Sequence, residues 1–139
     1  MLSNTLDTNE VKNASGTEVE FTHLKSSDRS RTFAIIGESP SLPQRLSISH
    51  LEVGAALRKR RRSVVRFDIT SISDVDEVTP VTCSAYTVVD YPIGAQLTNA
   101  NMQLVLAYLQ SFLASDGSDT AIKYDCTGSG AAALLNGSL

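Results

Sequence analysis

The stretch RKRRR, Arg58 to Arg62, sets five cationic side chains in a row, and Arg66 adds a sixth shortly after. Such side chains suit phosphate: a guanidinium offers five N–H donors in a planar fork and keeps its charge at any physiological pH. The chain as a whole is acidic, with 12 Lys and Arg against 15 Asp and Glu, a net charge of -3 and a pI near 5.3. The basic side chains from Arg58 to Arg66 contribute +6, which leaves -9 for everything else. Overall charge therefore says little about the partner of this one region. Basic runs also occur as solvated faces or targeting signals, so the elements around this one decide its meaning.

Other reactive side chains form no constellation. His23 and His50 have no partner at catalytic spacing and read as surface or strand residues. Cys83 and Cys126 are far apart, with no CxxC and no nearby histidine, which fits neither a zinc site nor a disulfide framework. They read as two free thiols, at least one of them buried. No paired carboxylates, nucleophile with base, or metal cluster can be placed together, so the sequence points away from an enzyme and calls for no cofactor and no metal. TGSGAAALL looks like a glycine loop opening a helix, but it lacks the lysine and the preceding strand of a phosphate cradle. A turn followed by a helix cap at Ser129 fits it better.

The elements that would hold the basic run follow from composition and period. A chain of 139 residues, 42% apolar and 19% charged, suits one domain with a real core, 1–139. It has no basic-then-apolar leader and no apolar run near the ~20 residues of a membrane span, so a soluble protein made without export is expected. Residues 1–17 are polar and read as a loose arm or one short strand. VEFTHL (Val19 to Leu24) and RTFAII (Arg31 to Ile36) flank the connector KSSDRS as a hairpin, and GESPSLP follows as a loop.

RLSISHLEV, Arg45 to Val53, alternates until His50, where Leu51 and Val53 break the phase; a bulge or a two-sided end is predicted there. SVVRFDITS, Ser63 to Ser71, puts Val65, Phe67 and Ile69 on one face and Val64, Arg66 and Asp68 on the other. The acidic loop SISDVDEVTPV, Ser71 to Val81, leads to TCSAYTVVDYPI, Thr82 to Ile93. There Cys83, Ala85, Thr87, Val89 and Tyr91 oppose Ser84, Tyr86, Val88 and Asp90. Residues 18–93 thus read as a hairpin and an antiparallel meander.

After Pro92 and Gly94 the period becomes helical, and 98–139 reads as two helices. Thr98 or Asn99 caps the first, whose stripe is Met102, Val105, Leu106, Leu109, Phe112 and Leu113, with Asp116 and Gly117 as its stop. The second ends at Asn136 and Gly137. A helix of about four turns, ~24 Å by ~10 Å, is narrower than an apolar face built of strands ~4.8 Å apart. A lone chain would leave apolar sheet uncovered. A dimer whose helices cover the neighbour's sheet, or whose sheets join at their edges, resolves this.

Three segments in this order, RKRRRSVVRFDIT, YTVVDYPIGAQLTNANMQLVLAYLQSFL and AALLNGSL, give the chain a resemblance to the coat proteins of single-stranded RNA bacteriophages, the levivirus type. The specificity lies in their sequence and spacing, and the likeness covers nearly the whole chain. It implies an α+β fold with an N-terminal β-hairpin, a five-stranded antiparallel sheet and two C-terminal helices. It also implies a homodimer with a continuous ten-stranded sheet, its helices interlocked over the outer side through the Met102 to Leu113 stripe. Such dimers build an icosahedral shell, usually of T=3 type, around genomic RNA. The subunit is made in the bacterial host cytoplasm and ends in the virion, beside a single maturation protein, and has no membrane partner.

The same resemblance implies an RNA hairpin on the inner face of the sheet, bound as a translational repressor. Arg58, Lys59, Arg60, Arg61 and Arg62 would form the turn between two inner strands. Ser47, Ser49, Arg62, Val64, Arg66, Asp68, Ser84, Tyr86 and Val88 would line that face. Arg66 and Asp68 match a basic and an acidic position of the family. The family's base-stacking tyrosine falls on Ser84, with Tyr86 two residues along on the same face, and Val64 stands where the family has a polar residue. The loop at Ser71 to Val81 carries no cysteine, so no disulfide network between subunits is expected there. Two classes remain: a self-assembling shell protein that packages RNA, and a small non-viral nucleic-acid-binding β-module.

Overall fold

A computed structural model describes residues 2–55, 58–93 and 97–137; Gly94 and the last two residues of AALLNGSL lie outside the described residues. Six strands follow one another in a single antiparallel sheet. They are β1 (Thr5–Leu6), β2 (Phe21–Ser27), β3 (Ser30–Ile35), β4 (Gln44–Val53), β5 (Arg60–Ile72) and β6 (Pro80–Pro92), each paired with the next. Helices α1 (Asn99–Leu113) and α2 (Ser129–Asn136) come after them. The α+β class and the order of strands before helices are as expected, with five long strands and the two-residue β1.

The N-terminal segment is not a loose arm. Asn13 folds it back on itself: its side-chain oxygen accepts the N–H groups of Ser15 and Thr17, each at 3.0 Å. Lys12 then pairs antiparallel with Glu18, and Val19 N–H donates to Val11 O at 2.9 Å. This small hairpin carries Val11 and Val19 onto the sheet. Phe21, Phe33 and Leu46 occupy in-register positions on one face and are buried together with Leu6, while Ile35, Ile48 and Phe67 pack around them. Phe21 and Phe67 meet edge to face at 6.1 Å. Burying each such side chain stabilises the fold by about 1.5–3 kcal/mol. The hairpin implied by the family likeness is thus supplied by residues whose own pattern reads as polar loop.

Several strand limits differ from the alternation reading. β2 and β3 run through most of KSSDRS and turn at Asp28 and Arg29, because Ser27 and Ser30 pair and their hydroxyls hydrogen-bond at 2.7 Å. β4 carries no bulge: its register to β5 is unbroken from Gln44↔Ile69 to Val53↔Arg60. The phase change at His50 marks the point where the strand leaves the core. The irregularity lies instead in β2, between His23 and Lys25. β5 and β6 also extend into the acidic segment as far as Ile72 and Pro80, where the Thr70 and Thr82 hydroxyls bond at 2.8 Å. The remaining loop closes on Asp76, which accepts the N–H groups of Val78 and Thr79 and the Thr79 hydroxyl. These bonds, the Thr79 hydroxyl foremost, lower the Asp76 pKa to about 2.

Thr98 caps α1 by accepting Asn101 N–H at 3.4 Å. The helix stops at Leu113, before Asp116, with Ala114 as its C-cap. Ser129 is the first residue of α2 rather than its cap; Gly128 holds that position without a side-chain bond. Gly137, at φ 65°, ends the helix in the left-handed conformation, as predicted. Gly128 and Gly130 are needed for close approach, since a Cβ there would collide with the Ser115 and Phe112 carbonyls that end α1.

The two helices pack on each other, and no residue of α1 is buried; Val105 and Phe112 stay 62% and 53% exposed. On the core face of the sheet the N-terminal hairpin covers one side, while Val65, Ile69 and Val81 remain open toward β6. For the same reason Cys83 is exposed, and so is Cys126, which corrects the expectation that at least one thiol is buried. Among the described residues no helix is long and apolar enough to cross a membrane.

Candidate nucleic-acid interface

Residues directly opposed in an antiparallel sheet share a face, so the registers of β4, β5 and β6 assemble the site rung by rung. The rungs are Arg45·Asp68·Ser84, Ser47·Arg66·Tyr86, Ser49·Val64·Val88, Leu51·Arg62·Asp90 and Val53·Arg60·Pro92. All lie on the face opposite the core. The sheet therefore gathers on one surface the nine side chains assigned to an inner face, together with Arg60.

Arg66, Asp68 and Ser84 form a closed triad at its centre. Arg66 Nε donates to both carboxylate oxygens of Asp68, at 2.8 and 2.9 Å, and its Nη2 donates to Ser84 Oγ at 3.2 Å. Ser84 in turn donates to Asp68. The Arg66 guanidinium, and after it the Ser84 hydroxyl, hold the Asp68 carboxyl below its ordinary range, and Asp68 raises Arg66 in return. Tyr86 stands across the rung from Arg66, 67% exposed.

The basic run does not act as one patch. Consecutive strand residues point to opposite faces, so Arg60 and Arg62 lie on the polar face and Arg61 on the core face. Arg60 and Arg62 grip Asp90 at 2.9 and 3.5 Å, and Arg60 above all lowers its pKa. Arg61 reaches Glu52 at 2.8 Å, donates to the Tyr91 hydroxyl at 3.2 Å and lies 5.9 Å from the Tyr91 ring centre. Lys59 joins it on Glu52 at 2.6 Å, and Arg29 stands 3.6 Å away. Lys59 first, then Arg61, bring the Glu52 pKa down to about 2. The turn expected at Arg58 to Arg62 is confined to its first residues: Arg58 donates its N–H to Ala55 O at 3.1 Å, and β5 begins at Arg60. Arg58 makes no ion pair among the described residues.

Asp90 and Glu52 are the participants that the basic run alone does not reveal. The signal for Asp90 was present, since it shares the alternation phase of Ser84 and Tyr86. Glu52 was hidden by the phase change in RLSISHLEV. Together with Asp68 they pair with five of the six cations, so the polar face offers oriented guanidinium N–H groups on a nearly neutral, Ser- and Tyr-lined surface rather than bare positive charge. Such a surface suits spaced phosphates and an unstacked base more than a dense polyanion. The α1 stripe, by contrast, is brought to no surface of this chain's own sheet.

Neither a protein-family profile nor a curated protein sequence matches the chain. Its fold is nevertheless found in solved particle-forming chains. The chain is similar to the bacteriophage EMS014 coat protein, with TM-score 0.65 over 87% of each chain at 10% identity. It is similar to the virus-like particle of bacteriophage GQ-907, with TM-score 0.60, 13% identity, and 96% of this chain against 92% of the other. The virus-like particle of Beihai levi-like virus 32 gives TM-score 0.57 and 22% identity over 68% and 75%.

Proposed function

We propose that the chain is a single-domain coat subunit, 1–139, of a single-stranded RNA bacteriophage, which dimerises, assembles into an icosahedral shell and holds RNA against its polar sheet face. The observation that carries this reading is the fold shared with the EMS014 coat protein over 87% of both chains. Two features of the chain support it. The apolar face over β5 and β6 and the α1 stripe are both left open, which suits helices from a second subunit laid across the sheet. The opposite face carries the Arg66, Asp68 and Ser84 triad beside Tyr86, which suits an RNA hairpin whose capture represses translation and starts packaging. A single maturation protein would complete the virion, assembled from subunits made in the host cytoplasm.

Expression in bacteria followed by size analysis and negative-stain imaging tests the reading. Large closed particles with a nucleic-acid absorbance signature are expected. A dimer or monomer free of RNA at every salt concentration overturns it and leaves the small nucleic-acid-binding β-module.

A further inference from the structure

β6 is the last strand of the sheet and pairs on one side only, with β5. Two backbone bonds fix which way its peptide groups point. Ile93 N–H donates to Lys59 O at 2.9 Å at one end, and Ser73 N–H donates to Thr79 O at 2.8 Å at the other. Both continue the unbroken register that runs from Arg60↔Pro92 to Ile72↔Pro80. Hydrogen-bonded positions alternate along an antiparallel pair. The odd-numbered residues of β6 therefore direct their N–H and C=O groups at β5, and the even-numbered ones direct theirs at the open edge.

Pro80 and Pro92 are both even-numbered. Each puts a ring where an outward N–H would stand, so the outward donors run from Thr82 to Asp90 in steps of two, with Tyr86 at their centre. An open edge of this length is a template for another strand, and proline at its two limits delimits how far the pairing extends.

We propose that a second copy of the chain joins this edge antiparallel, β6 to β6, about a two-fold axis through Tyr86. This deepens the dimer reading above and rests on it. Only this alignment pairs every outward N–H and C=O from Thr82 to Asp90. Thr82 faces Asp90 of the second copy, Ser84 faces Val88, Tyr86 faces its own counterpart, and the prolines face each other. Sliding the strands by two residues either way leaves the carbonyl of Asp90 or of Thr82 opposite a proline, with no donor. The proposed alignment also keeps the two Asp90 carboxylates at opposite ends, each with its own Arg60 and Arg62. The two Tyr86 rings then meet on the polar face, each with its Arg66 beside it, as one composite platform.

Cysteine cross-linking tests the alignment. In a chain with Cys83→Ser and Cys126→Ser, single cysteines are placed at 84, 86 and 88 and oxidised, and the product is read by non-reducing electrophoresis and intact mass. Hydrogen-bonded partners lie ~5.5 Å apart at Cα, within disulfide reach. Tyr86→Cys should convert to covalent dimer, and Ser84→Cys or Val88→Cys alone should not. The double variant Ser84→Cys/Val88→Cys, which keeps Tyr86, should link twice per dimer. Linkage of Ser84→Cys or Val88→Cys alone overturns the alignment but leaves the dimer standing. A dimer that none of the variants links overturns edge pairing and leaves association through the helices. A protein that elutes as a monomer before any substitution overturns both.

Discussion

Arg66 and Tyr86 face each other across β5 and β6 on the polar side of the sheet, a guanidinium and a two-thirds-exposed aromatic ring on one rung. The pairing places a cation and a stacking surface within reach of one nucleotide, because Asp68 and Ser84 hold the guanidinium still. Tyr86→Ala should therefore weaken binding of a single-stranded or hairpin RNA by about 1 to 3 kcal/mol, and Tyr86→Phe should retain most of it. Fluorescence titration at fixed salt distinguishes the two variants; equal loss in both would assign the tyrosine to hydrogen bonding through its hydroxyl.

The alternation of the arginines separates charge effects that a block substitution would merge. Arg62→Ser should lower the salt slope of RNA binding by about 0.7 to 0.9 per lost phosphate contact. Arg61→Ser should leave that slope unchanged, since its guanidinium is engaged with Glu52 and Tyr91 on the other face. Binding measured between low and moderate salt checks both. Replacing Arg60, Arg61 and Arg62 together with Ser should reduce the RNA carried by purified particles while leaving the dimer intact.

Acid sensitivity follows from Glu52. Lys59 and Arg61 depress its pKa from 4.5 to about 2, so its contribution to stability is fully present above about pH 4.5 and is lost as pH falls toward 2. Asp68 and Asp90 are lowered in the same direction by Arg66 and Arg60. Thermal melting followed from pH 6 to pH 2.5 should show a falling midpoint. Glu52→Gln should lower the midpoint at neutral pH and make the acid limb shallower.

Gly130→Ala tests the joint between the helices. Its methyl group would meet the Phe112 carbonyl, a backbone atom that cannot swing aside, and overpacking of this kind costs about 1–3 kcal/mol. A lower melting midpoint and impaired particle formation are expected, whereas Leu135→Ala, on an exposed side chain of the same helix, should have little effect on the isolated subunit.

Much of the polar face was legible in the sequence because period-two alternation is a local property. Ser63 to Ser71 and Thr82 to Ile93 assign Arg66 and Tyr86 to their face without knowledge of the neighbours, and Thr98 announces its helix in the same local way. The rest depends on contacts distant in the chain. Leu6, Val11 and Val19 have no common period, and only the apolar ground offered by Phe21, Phe33 and Phe67 turns their segment into a packed hairpin. The carboxylates that hold the arginines belong to neighbouring strands, so their roles follow from register. The ends of β5 and β6 were misplaced because Thr70 and Thr82 knit an acidic segment that reads as loop.

A tract of identical side chains on a pleated ribbon looks the same from above and below. Had Arg60, Arg61 and Arg62 been the only guide, β5 could slide by one position against its neighbours and still present arginine on both sides of that corner. Correct alignment must therefore be enforced from the far end, where Phe67 has a greasy seat beside Phe21 and a slip would drive Arg66 into it. The strand's charged end is tolerant of error and its aromatic end is not, so the phenylalanine acts as the proofreader for where every guanidinium comes to rest.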